Sequence, residues 1–282
     1  MNGFYLIDKD TDWTSRDVCN KIQHLLHVKK VGHTGTLDPF ATGLLMVSIG
    51  NGTKAGTFLE EFEKEYEATL VLGSKTSTGD LKGEIVDSKE VPNINEEDIK
   101  NAFKSLIGVQ KQIPPMTSAV HYQGRKLYEL AHQGIEVERE PREVEILSLD
   151  LLELKGNAIK FKAKVSKGTY VRVLGEDIAK KLNTVGHLST LRRISVGPYS
   201  VKDAIKLDAV VDQKPFTIAE ILTKHLPTYV VPDEFKKKVY DGATIKIDIQ
   251  GDKILIVDTD NNALAVYERL KDDIFKCCRG LW

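Results

Sequence analysis

The chain has little cysteine and no pattern that would put it to use. Its three cysteines, Cys19, Cys277 and Cys278, are too few for a disulfide framework, and the adjacent pair lacks the C-x-x-C or histidine spacing of a zinc site. No run of about 18 apolar residues is present to cross a bilayer. The start, "MNGFYLIDKD", lacks the basic, apolar and cleavage segments of a secretory leader. A cytoplasmic protein with no membrane contact is expected. Neither sign of charge dominates: 40 Lys and Arg stand against 41 Asp and Glu, a net charge of -1. Composition therefore announces no nucleic-acid partner, and any such binding must use local patches. Patches occur at Lys29-Lys30, Arg125-Lys126, Arg139 with Arg142, Lys162 to Lys167, Arg192-Arg193 and Lys236 to Lys238, separated by acidic stretches such as Glu60 to Glu67. Each taken alone reads as a solvated face.

What is present is a chain of 282 residues, enough at about 150 residues per domain for one large unit and one small one. "FYLIDKD" reads as a strand, and "TSRDVCNKIQHLLHV" sets Val18, Ile22, Leu25 and Leu26 on one helical face behind a Thr14 or Ser15 cap. "LLMVSIG" reads as a buried strand, "TKAGTFLEEF" as a short helix and "YEATLVLG" as an alternating strand. "NEEDIKNAFKSLIG" is a helix capped by Asn95. "EVEILSLDLLEL" and "AIKFKAKVSKG" form a hairpin about Gly156, and "YVRVLGEDIAKKL" and "LSTLRRISVG" follow as helix and strand. Between them, residues 114–141 combine a proline pair with polar and aromatic residues and read as an excursion. After the helix-like "IAEILTKHL", composition breaks near Pro227 to Pro232, and "EFKKKV", "ATIKIDI", "KILIVDT", "ALAVYERL" and "IFKCC" predict a small, mostly β module. The fold class expected is α+β: a central mixed, largely antiparallel sheet with flanking helices over 1–227, and a C-terminal β module over 228–282.

One stretch stands out chemically. "VGHTGTLDPFATGLL", Val31 to Leu45, holds one histidine, three threonines, three glycines and a single carboxylate followed by proline. Pro39 pushes Asp38 out of the helical region, and the glycines let the flanking backbone turn or approach a ligand. A P-loop is set aside, because the Lys-Ser/Thr ending is missing and a strand follows where a helix is needed. An Asp making a local turn remains possible, as does a carboxylate acting as nucleophile in a dry pocket beside His33. A partner acid from elsewhere in the fold, as in a glycosidase, also stays open.

The wider pattern resembles one family. "GHTGTLDPFATGLL" is similar to the signature of the TruB-type tRNA pseudouridine-55 synthases, and "LIDKDTDWTS", "KEYEATLVLG" with "STGD", "IPPMTSAVHYQGRKLYELAHQG" and "SKGTYVRVLGEDIAKKL" with "HLSTLRR" agree in order and spacing over roughly residues 3 to 200. The resemblance implies an isomerase that converts a uridine in the TΨC arm of tRNA to pseudouridine, with the base flipped out and no cofactor or metal. It implies Asp38 as catalytic carboxylate, with attack on the base, attack on the ribose and a glycal route all open. His33 corresponds to the histidine that fills the space left by the extruded base. Tyr66 corresponds to a tyrosine stacking on the uracil and serving in proton transfer from C5. Tyr170, Arg172 and Leu191 correspond to positions lining the pocket, with Arg172 the natural partner of Asp38. Asp80 matches an acidic position near the mouth, and Lys9 a basic residue that is structural or backbone-contacting.

The excursion, with His121, Tyr122, Arg125 and Lys126, corresponds to an RNA-gripping insertion. The last fifty residues resemble a PUA-type module that would hold the acceptor end. A monomer acting on the TΨC stem-loop is expected. Four positions depart from the family's usual residues: Asp10 and Asp12 stand for a proline and a glycine, Thr117 for an aromatic residue and His121 for a lysine. The departures motivate a competing function, an RNA-binding tRNA folding factor with little catalytic activity. A nucleoside or glycoside hydrolase is a third reading and needs a second essential acid.

Overall fold

The computed structural model describes all residues, 1–282. Strand β1 (Gly3–Lys9) leads through a turn into helix α1 (Ser15–Leu26). Thr14 caps α1 by accepting the Asp17 N–H while Asp17 reaches back to the Thr14 N–H, so two orphan donors of the first turn are satisfied. Val18, Cys19 and Ile22 are its buried face. Short strand β2 (Val31–His33) then enters the stretch containing Asp38, and β3 (Thr42–Ile49) leaves it, buried on both faces as its unbroken apolar run requires.

The main sheet runs in the order Gly3–Lys9, Thr42–Ile49, Gly186–Val196, Lys64–Leu72, Ala158–Val165, Arg142–Lys155, Gly108–Gln112, with two short strands off this path. Its pairs are antiparallel except for β3 against Gly186–Val196, which are parallel through Arg192 with Thr42 and Arg193 with Gly43. That contact selects glycine at 43: its φ is +100°, and a Cβ there would lie 2.3 Å from the Arg193 carbonyl oxygen. In β4 (Lys64–Leu72), alternation sends Tyr66, Ala68 and Leu70 into the core and Glu65 and Glu67 outward. Helices Ser15–Leu26, Glu96–Leu106 and Val171–Lys181 cover the inner face, and one apolar cluster joins Ile22, Phe103 and Ile178 to Tyr66, Leu70 and Phe161.

The outward face resolves the charge runs. Glu61, Glu63, Glu65 and Glu67 pair across the strands with Lys167, Lys164, Lys162 and Lys160. The two runs of opposite sign are therefore each other's partners, and this lysine patch is neutralised by its own sheet.

Residues after Thr228 form a five-stranded sheet built on Thr228–Val230, Ile245–Lys246, Lys253–Val257, Ala263–Lys271 and Ile274–Gly280. Leu255, Val257, Val266 and Leu281 share one apolar cluster with Phe4, Leu6, Leu44 and Met46. The small sheet is thus packed directly behind the strands that carry the Asp38 stretch. Three elements are shorter than their sequence patterns predict. "TKAGTFLEEF" gives a helix over Gly52–Ala55 and one 3-10 turn, and "IAEILTKHL" a helix over Ile218–Leu222. In "ATIKIDI" only Ile245–Lys246 pairs as strand, because the chain beyond it turns its Ile249 and Gly251 carbonyls to Arg269 instead of to a neighbouring strand.

Candidate active site

The Asp38 stretch is pinned residue by residue. Arg193 donates from Nη2 to the Gly35 carbonyl at 3.1 Å and from Nη1 to that of Thr36 at 3.3 Å, while its Nε bonds the Leu44 carbonyl at 2.7 Å. Ser15 Oγ accepts the Leu37 N–H at 2.8 Å and donates to the Leu37 carbonyl at 3.1 Å. Lys9 Nζ, fully buried, donates to the carbonyls of Asp10, Trp13 and Pro39. Thr11 Oγ1 donates to the Phe40 carbonyl, and the Asp12 N–H to that of Pro39. Asp12 sits at φ +65°, a left-handed conformation that Asp tolerates better than most residues. Asp12 thus occupies a turn position that glycine would also fit without strain.

Within this frame Asp38 meets Arg172, the second residue of the helix Val171–Lys181. Nε donates to Oδ2 at 2.8 Å and Nη2 to Oδ1 at 3.2 Å. The remaining guanidinium donors go to the Thr78 carbonyl at 2.7 Å and to Thr117, whose Oγ1 accepts at 2.6 Å and whose carbonyl accepts at 3.0 Å. All five N–H groups are used, and the Arg172 side chain is 4% exposed against 28% for Asp38. The acid is thus held by a buried cation yet open on one side. Asp80 lies 3.8 Å from Arg172 Nη1 and is itself fixed by the Thr78 hydroxyl and the Lys82 N–H.

Burial raises the Asp38 pKa above the ordinary carboxylate value; Arg172 opposes this and the Asp80 charge adds to it. Lys9 is lowered to about 8, chiefly by burial, with the Asp38 charge pulling the other way. His33 is lowered to about 4, by burial and then by Arg16, Arg193 and Lys126, so it is neutral at physiological pH. Its Nδ1 is buried without a hydrogen-bond partner.

The remaining predicted residues divide into two groups. Tyr66 and Leu191 are buried on neighbouring strands, in the same apolar cluster as Leu37 and Phe40. Leu191, Phe40 and Ala68 also line a cleft of about 360 Å³ whose other walls include Thr11, Leu81, Glu67 and Arg192. Tyr170 precedes the Arg172 helix, and Gln112 brackets its backbone, its Oε1 accepting the Tyr170 N–H at 3.0 Å. The structure thus joins Asp38, Arg172 and Asp80 in one charged network, with the Lys9 charge acting on Asp38, while Tyr66 and Leu191 share the apolar cluster of Leu37 and Phe40 and His33 lies on β2. Sequence reasoning missed Ser15, Thr78, Thr117 and Arg193. Arg193 alone had a local signal: adjacent strand residues face opposite ways, so one of Arg192 and Arg193 had to point inward.

Residues 23–171 match the TruB family pseudouridylate synthase N-terminal domain, and residues 172–234 the tRNA pseudouridylate synthase B C-terminal domain. A tRNA pseudouridine synthase B of Bacillus pumilus is 38% identical, over 95% of this chain and 93% of its own length. One from Geobacillus thermodenitrificans is 39% identical over 95% and 94%, and one from Syntrophotalea carbinolica 40% identical over 85% and 81%. Among solved structures, a Cbf5-Nop10-Gar1 complex holds a chain superimposing with a TM-score of 0.76 at 24% identity, over 99% of this chain and 85% of that one. The likeness supports the fold.

Proposed function

The chain belongs to the TruB family of pseudouridylate synthases, and from that premise we propose that it converts uridine 55 in the TΨC loop of tRNA to pseudouridine, with Asp38 as its catalytic carboxylate. The observation that carries the assignment of Asp38 is the buried Arg172 guanidinium, whose five donors are all committed and two of them spent on a carboxylate that stays open to one side. Such a pair fixes the orientation of the acid and favours its ionised form against the burial around it.

The reaction is an isomerisation. The N1–C1′ bond breaks, the uracil turns and C5 bonds to C1′; the proton lost from C5 to solvent is balanced by one gained at N1, and no base or sugar is released. A uridine inside a folded loop reaches Asp38 only after flipping out, which costs a few kcal/mol that the pocket offsets by stacking and hydrogen bonding. Tyr66 supplies the stacking face and serves in the removal of the C5 proton, Tyr170 and Leu191 close the pocket, and neutral His33 takes the space the base leaves. Asp38 acts on the sugar side. Asp80 and Lys9 hold the network and the loop.

The insertion over 114–141 grips the RNA with His121, Tyr122, Arg125 and Lys126, and the chain acts as a monomer. Residues 228–282 serve as a PUA-like module for the acceptor end. The basic residues there lie among exposed aromatics, with Lys238 over the Phe235 ring and Tyr240 against Trp282, a mixture suited to phosphates and unstacked bases. No helix is long and apolar enough to cross a membrane.

A TΨC stem-loop carrying tritium at uridine C5 tests the reading. The protein should release tritium to water and leave pseudouridine at position 55, while Asp38→Asn binds the RNA and releases none. Remodelling of misfolded tRNA without tritium release would favour the folding-factor reading, and free uracil a hydrolase.

A further inference from the structure

Two buried side chains are bonded to the backbone immediately before Asp38 and touch none of the groups that would react. Ser15, 2% exposed, spends its one hydroxyl on both polar groups of Leu37, accepting from the N–H and donating to the carbonyl. The two residues are 22 apart in sequence, so this bond ties the first turn of α1 to the loop. Arg193, also 2% exposed, has no carboxylate partner; it spends its guanidinium on the carbonyls of Gly35, Thr36 and Leu44. A buried cation neutralised only by carbonyl dipoles is an expensive way to hold a loop, since an apolar residue would fill the same volume without desolvating a charge. What those dipoles obtain is a fixed backbone on the N-terminal side of the carboxylate, just as Lys9 fixes the C-terminal side through Pro39.

We propose that Ser15 and Arg193 are positioning residues for the isomerisation, setting where the Asp38 carboxylate stands relative to the flipped nucleotide. The proposal rests on Asp38 being the catalytic acid. Arg172, itself pinned by Thr78 and Thr117, orients the carboxylate group, but the backbone that carries Asp38 is held by other contacts, so the ion pair alone does not fix the reach of the acid. A misplacement of about 1 Å is enough to lose on the order of 100-fold in rate. Ser15 and Arg193 remove that freedom without entering the RNA-binding surface.

Steady-state kinetics on the TΨC stem-loop, well below the melting temperature, test this. Ser15→Ala should lower kcat about 10- to 100-fold while KM stays within about threefold, and Ser15→Thr, which restores a hydroxyl, should recover most of the loss. Arg193→Lys, whose single ammonium replaces three nitrogens that reach the Leu44, Thr36 and Gly35 carbonyls separately, should behave like Ser15→Ala and carries the test if that variant does not fold. Ile22→Val on the same helix lowers stability without touching the loop and should keep full kcat. The acid limb of the Ser15→Ala pH profile should not move, because the charges around Asp38 are intact. Full kcat in both Ser15→Ala and Arg193→Lys, or an equal loss in Ile22→Val, overturns the proposal. Asp38→Asn run in parallel separates the two failures: activity surviving there refutes the role of Asp38 itself, whereas its loss beside a fully active Ser15→Ala refutes only the positioning role.

Discussion

The protein contains the same ion pair twice, in two settings. Arg172 holds Asp38 at 2.8 and 3.2 Å, and Arg192 holds Asp8 at 2.8 and 3.1 Å. Each arginine is forked on one carboxylate, yet the acids are displaced in opposite directions, Asp38 raised and Asp8 lowered. The Arg172 side chain is 4% exposed and Arg192 38%. Asp8 has a second cation in Lys206 at 3.3 Å, whereas Asp38 has a second carboxylate nearby in Asp80. Contact geometry therefore does not decide the chemistry of an aspartate; desolvation and the sign of the next charge do. Asp8 is held ionised by two cations that outweigh its burial, and Asp38 is kept at some cost in a state from which it can react.

The largest effect expected from breaking the likeness is on turnover. Asp38→Asn should lower kcat by on the order of 10⁴-fold or more, and Asp8→Asn should leave it within about twofold, as read by tritium release. Similar losses in both would mean that the comparison misidentifies the acid. Truncating the arginines sharpens it on stability. Arg172→Met strands a buried carboxylate pair and five broken hydrogen bonds and should cost about 3–5 kcal/mol in urea unfolding, against at most about 1 kcal/mol for the half-exposed Arg192→Met.

The pH dependence should also run in opposite senses. Asp8, lowered in the folded state, contributes stability that is present above its unfolded value and is lost as pH falls through its folded value. Asp8→Asn and the parent should therefore differ at neutral pH and converge in acid. Asp38, raised in the folded state, makes stability fall as pH climbs from its unfolded value to its folded one. Its ionisation should appear as the acid limb of kcat, above the ordinary carboxylate value. Asp80→Asn removes the charge that adds to the shift, so it should move that limb to lower pH; a limb that stays in place would remove Asp80 from the network.

The two sites were unequally legible in the sequence. The turn around Asp38 announces itself, since glycine and proline punctuation and a following apolar strand are local signals, and the hairpin about Gly156 and the Asn95 cap are equally local. The partners of Asp38 come from 134 residues away in Arg172, and Thr78 and Thr117 reach Arg172 from 94 and 55 away. No periodicity carries such information, so Arg172 was found only through the family pattern and the threonines were not found. Thr117 stood out only as a departure, and its structural meaning, two acceptors for the guanidinium, needed the fold. The short helices over Gly52–Ala55 and Ile218–Leu222 failed in the other direction, where an apolar run promised more turns than the packing supports.

A third aspartate extends the comparison to its weakest member. Asp12 pairs with Lys82 at 2.8 Å, but their side chains are 63% and 53% exposed, and neither has a fork to hold. The pair joins residues adjacent to Thr11 and Leu81, which line the cleft that Leu191 also lines. An exposed pair of this kind contributes less than about 1 kcal/mol and is screened by salt. Asp12→Gly loses it but places glycine at φ +65°, where glycine fits without strain, so unfolding free energy should change by less than about 0.5 kcal/mol. The same change frees Lys82 at the cleft mouth for a phosphate. Stem-loop affinity should therefore rise about two- to fivefold at about 50 mM salt, and the gain should fade at several times that concentration. A gain that persists at high salt would mean that Asp12 obstructs the RNA sterically, and no gain at all would mean that Lys82 faces away from it.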